Sequence, residues 1–171
     1  EEGVFSKTIY ELEKNLIPVI LKMEQIGIQI HKPAFKKLSK EIAQELEKIQ
    51  KKIFELAGTQ DFNINSPQQL SKVLFEKLLL PTKGLHKTPG GVLSTASQEL
   101  QKLAHLHPIA QEILKYRELS KLQNTYLLPL PLLCDASSRI HAHFDQLGAA
   151  TGRLSSDSPN LQNIPIEGEW G

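Results

Sequence analysis

A single cysteine, Cys134, stands in a sequence of 171 residues, and its isolation excludes several chemistries at once. No intramolecular disulfide can form, and a cysteine-rich zinc site is ruled out. A reducing compartment is the expected setting. No apolar run reaches the roughly 18 residues that a membrane-spanning helix needs, and no signal-peptide pattern opens the chain. No glycine-rich phosphate loop of the P-loop or dinucleotide type occurs, and no paired acidic cluster suited to Mg²⁺ stands out. Neither sign of charge is in excess: 20 Lys and Arg against 19 Asp and Glu leave a net charge of +1. Any nucleic-acid contact would rest on local placement of cations, since the chain is not strongly basic overall. Methionine is equally scarce. Met23 lies inside a helical pattern and residue 1 is Glu, so the sequence reads as part of a longer protein whose chemistry lies elsewhere.

What is present is ordinary for a globular protein: 40% apolar and 23% charged residues, in a length that suits one domain or slightly more. Thr8 and Glu11 form a capping-box pattern. Ile9, Leu12, Leu16, Val19, Met23 and Ile26 then recur at helical spacing up to Gly27, with Pro18 expected to kink the helix. Pro33 opens a second helix. Its stripe of Phe35, Leu38, Ile42, Leu46, Ile49, Ile53 and Leu56 runs to Gly58. About 25 residues at roughly 1.5 Å each make a rod near 37 Å long. Its other face interleaves Lys36, Lys37, Lys40, Lys48, Lys51 and Lys52 with Glu41, Glu45 and Glu47, a pattern of solvated i,i+4 pairing.

"SPQQ" at Ser66 is a second capping box and opens a short helix through Leu78. Residues 81–94 carry Pro81, Gly84, Pro89, Gly90 and Gly91 with Lys83, His86 and Lys87, a basic loop. Short helices follow at 97–105 and from Pro108 to about Pro129. The period then changes. "RIHAHF", Arg139 to Phe144, alternates as a strand, with His141 and His143 on one face and Ile140, Ala142 and Phe144 on the other. A turn at Gly148 and a second strand over about 149–154 would complete a hairpin. The fold class is therefore mainly α with a minor β part (α+β).

Several candidate sites are weak. His141, His143 and Asp145 could share a face, but a zinc site needs three or four ligands and no other His or Cys has telling spacing. Cys134 reads as a small core residue. Ser155 and Ser156 lack an evident base. Polar loops suit nucleic acid better. Asn63, Asn65 and Ser66 stand at a helix N-terminus, where free N–H groups and the dipole favour anions; plain capping by Ser66 is the competing reading. Arg117 and Lys121 share a helix face, where they repel unless an anion or solvent intervenes. In "TGRLSSDSPNLQNIP", Arg153 follows Gly152, and Asn160, Gln162 and Asn163 add neutral donors between Pro159 and Pro165. An Arg in the minor groove meets the N3 and O2 acceptors that every pair presents, so it feels pair geometry more than sequence. A polar turn without a ligand stays open as the alternative.

The last stretch resembles the motif that enters the palm in family A DNA polymerases, the bacterial DNA polymerase I type. The resemblance extends, in order, to "MEQIGIQI", "FNINSPQQLSKVLFEKL", "LSTASQELQKLAHLHP", "ILKYRELSKLQNTYLLPL" and "RIHAHFDQLGAATGRLSS", and covers nearly the whole chain. It implies a linker at 1–7, a helical thumb with long antiparallel helices at 8–130, and the beginning of the palm sheet, a first hairpin, at 131–171. It implies that Asn63, Asn65, Ser66, Lys87, Ser94, Thr95, Arg117 and Lys121 touch the DNA backbone. Arg153 would probe the minor groove near the primer terminus, with Asn160, Gln162 and Asn163 beside it. The implied parent is a monomeric, cytoplasmic, template-directed polymerase of replication and repair. It would use two Mg²⁺ ions and dNTPs held by the rest of the palm and by the fingers, while this segment would carry no catalytic or metal residue. Three features depart from the family. Glu167 stands where an Arg usually follows "IPI". "LGAATGRL" replaces a threonine-rich version, and the loop at 83–93 has extra Pro89 and Gly91. The alternatives are a stand-alone nucleic-acid-binding module and a helical interaction domain whose lysines are merely solvated.

Overall fold

The long apolar stripe after Pro33 does form a helix, and its burial shows why that helix is stable. In the computed structural model, which describes residues 6–165, α2 spans Lys32–Ala57. Ile42, Ile49 and Ile53 are buried along one face, joined by Ala57. The remaining elements are α1 (Lys7–Ile26), β1 (Ile28–Gln29), α3 (Pro67–Ser71), α4 (Ser97–Leu103), α5 (Pro108–Lys121), β2 (Arg139–Ile140), β3 (His143–Asp145) and β4 (Ser155–Asp157). Both α3 and α5 continue into π-helical turns, Lys72–Lys77 and Leu122–Leu127, and a 3₁₀ turn covers Leu130–Leu132. The chain is mainly helical with two small antiparallel pairs, β1–β2 and β3–β4. Among the described residues no helix is long and apolar enough to cross a membrane.

Contacts divide the chain into two compact units, Leu38–Asn124 and a second unit made of Glu1–Lys37 with Thr125–Gly171. In the Leu38–Asn124 unit, Leu70, Leu74, Leu100, Leu103, Ile109, Ile113 and Leu119 are buried with the α2 isoleucines. The edge of Phe54 meets the ring of Phe62 at 5.4 Å. The charged face of α2 is solvated as its pattern implies, with only Glu45 half-buried, but its ion pairs also cross to α5. Glu45 accepts from Lys48 on its own helix and from Lys115 on α5, each at 3.3 Å, and Lys52 reaches Glu112 at 2.5 Å. These donors, Lys48 first, hold the Glu45 carboxyl below its usual range. Glu45 with Lys115 and Lys52 with Glu112 run in opposite chain directions, so α2 and α5 are antiparallel.

In the other unit several local expectations need correction. Helix α1 begins at Lys7 with Ser6 at its N-cap, so Thr8 lies inside the first turn and forms no capping box. The helix runs through Pro18 to Ile26. Its apolar stripe is mostly exposed: Ile9, Leu12, Val19, Met23 and Ile26 lie at the surface, while Ile20 is buried. Periodicity reports a one-sided pattern but not what covers it. The strand expected over Arg139–Phe144 is split in two, although its alternation holds, with Ile140 and Ala142 buried and His141 and His143 exposed. Arg139 and Ile140 pair with Gln29 and Ile28, a short strand after α1 that periodicity did not reveal. His143–Asp145 pair with Ser155–Asp157, so the second hairpin strand lies beyond the expected 149–154.

The end of α1 is fastened to β2 and β3 by a polar cluster. Arg139 Nη1 donates to the Gly27 carbonyl at 2.9 Å and the Ile26 carbonyl at 3.1 Å. Glu24 Oε1 accepts from the Phe144 N–H at 2.7 Å and lies 2.9 Å from His143 Nδ1. His141 faces acceptors with both ring nitrogens: the Glu24 carbonyl at 2.7 Å and Asp135 Oδ2 at 3.2 Å. Only the imidazolium can donate to both. The Glu24 carbonyl foremost, then Asp135, raises the His141 pKa, against smaller opposing effects from desolvation and then from the Arg139 charge. The Asp135 carboxyl is held low by the Arg139 N–H first and by His141 next.

These shifts set a pH window for stability. The Asp135 contribution is complete above its unfolded value, about 4, and is lost as pH falls through the lower folded value. The His141 contribution is complete below its unfolded value, about 6.5, and is lost as pH rises through the higher folded value. Thermal melts from pH 5.5 to 8.5 are therefore expected to fall with rising pH, and His141→Phe is expected to flatten that fall. An equally steep decline in the variant would show that His141 is not the group responsible.

Candidate nucleic-acid interface

In the Leu38–Asn124 unit, three segments far apart in sequence converge on one cleft of about 680 Å³. Its walls include Asn65 and Gln68 from the start of α3, Thr88, Ser94 and Thr95 from the 81–96 loop, and Arg117 from α5. Local chemistry explains each position. Pro67 opens α3, and the Ser66 hydroxyl accepts the Gln69 N–H at 3.5 Å. Plain capping by Ser66 is thus real. The return half of the capping box is redirected, because Gln69 Oε1 accepts from the Asn63 N–H at 2.6 Å instead of from Ser66. Asn63 Oδ1 accepts the Asn65 N–H at 2.8 Å, closing an Asx turn that leaves the Asn65 side chain exposed.

The loop between α3 and α4 is tied at several points. Lys87 bridges to Leu93, and the Ser94 N–H donates to the His86 carbonyl at 2.9 Å. The Ser94 hydroxyl accepts the Ala96 N–H at 3.2 Å. Lys87 stays exposed at the loop surface. Thr95 is buried, and its carbonyl and hydroxyl are both met by the half-buried Arg117 guanidinium. Burial lowers the Arg117 pKa from its usual value, which still leaves it cationic at neutral pH. Thr95 therefore serves Arg117 from below the surface, and Arg117 presents to the cleft only the part of its fork that Thr95 does not use. Lys121, one turn on, is exposed and is not among the cleft walls.

The remaining candidates lie in the other unit. Gly152 has φ +72°, and a Cβ there would meet nothing within 4 Å, so the turn conformation is what favours glycine at this position, not close approach. Arg153 follows it and is exposed. Asn160 Oδ1 accepts the Gln162 N–H at 3.1 Å, and Gln162 Nε2 donates to the Leu154 carbonyl at 3.0 Å. The Ser156 hydroxyl accepts the Leu161 N–H, and the buried Tyr126 hydroxyl donates to the Asn163 carbonyl at 2.5 Å. The loop is thus braced from beneath, while the side chains of Asn160 and Asn163 sit in exposed residues. Glu167 lies outside the described residues.

His141 and His143 are committed to Asp135 and Glu24, and among the described residues no group of three His, Cys, Asp or Glu could hold a metal ion. The Cys134 thiol donates weakly to the Leu130 carbonyl at 3.6 Å and is half-buried. Sequence reasoning missed one feature of this region. Glu99, in the first turn of α4, is buried and pairs with Lys102. The i,i+3 spacing of opposite charges was the available signal, but it does not reveal burial.

Comparison with known proteins accords with this geometry. Residues 32–171 match the model of DNA polymerase family A. The DNA polymerase I of Treponema pallidum is 46% identical over 94% of this chain, and that of Helicobacter pylori 47% over 94%. A thermostable DNA polymerase I from Thermus aquaticus is 44% identical, also over 94%. The chain spans 16%, 17% and 19% of those three proteins. Among solved structures, the POL domain of Pol1 from M. smegmatis, in complex with DNA primer-template and dNTP, aligns with a TM-score of 0.81 and 36% identity. That alignment covers 92% of this chain and 27% of the other. With 140 of its 171 residues matching the family model (32 to 171 inclusive), this chain belongs to DNA polymerase family A.

Proposed function

We propose that this chain grips the primer–template duplex for a template-directed DNA polymerase, holding the backbone through Asn63, Asn65, Ser66, Lys87, Ser94, Arg117 and Lys121. Thr95 acts by orienting Arg117. Arg153, with Asn160, Gln162 and Asn163, meets the minor groove. Residues 8–130 act as the thumb and 131–171 as the beginning of the palm, after a linker at 1–7. The supporting observation is the cleft where Asn65, Ser94 and Arg117 converge from three distant segments. It offers hydroxyl, amide and guanidinium donors with little net charge, a set that suits phosphate oxygens without reading sequence. The similar M. smegmatis domain was solved with DNA primer-template and dNTP, which fits the same partner here.

The described residues do not fit a Mg²⁺ site, since they offer no cluster of carboxylates. In the parent, Mg²⁺ would stabilise the attacking and leaving oxygens of nucleotidyl transfer. The residues of this chain bind and orient the duplex. The parent is read as a monomeric bacterial cytoplasmic enzyme of replication and repair, with the remaining palm and fingers in the same polypeptide.

Arg153→Ala separates base-edge from backbone contact. Fluorescence anisotropy with a primer–template duplex across a salt series is expected to show roughly tenfold weaker binding in the variant. The slope of log affinity against log salt is expected to be nearly unchanged, because few phosphate counterions are involved. A slope lowered by about one would move Arg153 to the phosphates. Wild-type binding without salt dependence would remove the duplex-grip reading altogether.

A further inference from the structure

The one buried carboxylate among the buried residues of the Leu38–Asn124 unit, Glu99, is not among the walls of the cleft, yet it holds the cleft's loop from behind. Its side chain is 5% exposed and sits in the first turn of α4. A carboxylate so placed needs donors. Lys102 Nζ supplies two bonds, at 3.1 Å to Oε1 and 2.9 Å to Oε2, and the His86 N–H supplies a third, at 3.2 Å to Oε2. The same Lys102 ammonium donates to the Gly84 carbonyl at 3.0 Å. The pair therefore grips the loop backbone at two points, one acceptor and one donor, two residues apart.

The consequence runs directly into the cleft. The His86 N–H is held by Glu99 while the His86 carbonyl receives the Ser94 N–H. Lys87, the next residue, bridges to Leu93. Ser94 and Thr95 follow, and Thr95 engages Arg117. The loop tip closes on itself, with the Thr88 N–H and hydroxyl donating to the Val92 carbonyl at 2.8 and 3.1 Å and the Gly91 N–H to the Thr88 carbonyl at 2.8 Å, so Glu99 and Lys102 fix where this turn sits and not its internal shape.

We propose that Glu99, paired with Lys102, is the positioning anchor that sets the 84–95 loop so that Lys87 and Ser94 meet duplex phosphates. This inference rests on the duplex-grip reading above. Glu99 touches no DNA itself; it acts through the His86 amide. A merely structural ion pair would behave differently. Glu99 is buried while Lys102 is 46% exposed, so replacing both by apolar side chains of similar size removes the buried charge without leaving it unpaired and is expected to cost the fold little. It would nonetheless release the loop.

The test is the double substitution Glu99→Val with Lys102→Met in the full-length parent protein. Three readouts are taken: thermal melting, amide exchange by mass spectrometry, and primer–template affinity across salt. The melting temperature is expected to stay within about 4 °C. Exchange is expected to quicken in peptides covering 84–95 while α2 and α5 keep their protection. Affinity should fall roughly tenfold, with the salt slope lower by about one as the Lys87 contact is lost. Should the double variant fail to fold, Glu99→Gln serves in its place. Its amide oxygen still accepts from His86, and a smaller loss of affinity in the same direction is expected. Unchanged exchange in 84–95 would overturn the anchor. Quickened exchange with unchanged affinity and slope would overturn its role in binding. Absence of duplex binding by the wild-type protein would overturn the grip reading itself, a result distinct from both.

Discussion

Gly27→Ala is expected to destabilise the unit containing α1 and β2 by on the order of 3 kcal/mol. Gly27 lies at φ +65° and ψ 179°, a region open essentially to glycine alone. Space is lacking as well. A Cβ there would come within 2.7 Å of the Ile140 carbonyl oxygen and 2.9 Å of His141 Nδ1. The Ile140 carbonyl cannot retreat freely, because Ile140 pairs with Ile28 in the β1–β2 register. Nor can Gly27 shift, since its N–H caps α1 on the Met23 carbonyl and its own carbonyl accepts from Arg139. The check is urea unfolding combined with amide exchange in peptides covering 26–30 and 138–142. A loss below about 1 kcal/mol, with those amides still protected, would mean that the backbone relaxes around the new methyl.

Arg117→Ala carries the second large effect, and it acts on stability and binding together. The guanidinium joins α5 to the carbonyl and hydroxyl of Thr95, and so braces the wall of the cleft. Hydrogen bonds from a charged donor contribute roughly 1.5–3 kcal/mol each way they are measured, so a stability loss of about 2 kcal/mol is expected. Primer–template affinity should fall by at least about tenfold, with the salt slope reduced by about one. Arg117→Lys should recover the slope but little of the stability, because a single ammonium cannot hold two acceptors as a planar fork does. Full recovery of both by Lys would show that only charge matters at this position. Wild-type affinity in the Ala variant would remove Arg117 from the interface.

Much of the local structure was legible because it depends on residues close in sequence. The stripe from Ile42 to Ile53 is long enough for period alone to identify α2, and Gly58 marks its end. Pro108 opens α5, helped by His107, whose ring accepts the Ile109 N–H. Alternation over 139–144 survives in the burial of Ile140 and Ala142 even though the pairing is split there. Thr8 misled because two hydroxyl residues two positions apart, Ser6 and Thr8, compete for the start of α1, and a capping box scores only the pattern.

The site was legible in part. The order of the polar motifs pointed to a duplex-gripping set, and the cleft brings Asn65, Ser94, Thr95 and Arg117 together. What could not be read was who serves whom. Thr95 is buried beneath Arg117 instead of standing beside it at the surface, and Gln69 reaches back to Asn63 past Ser66.

By itself, then, the sequence determined the helical character, the span of α2, and membership of the polymerase family, since each is carried by local spacing or by ordered motifs. Tertiary structure alone decided that Ile28 would pair with Ile140, that His141 would need both of its protons, and that Glu99 would be buried against Lys102 and the His86 amide. The physical reason is the same for all three. Each depends on groups brought together by closure of the chain, and a period of two or 3.6 residues carries no record of which distant donor will face which acceptor.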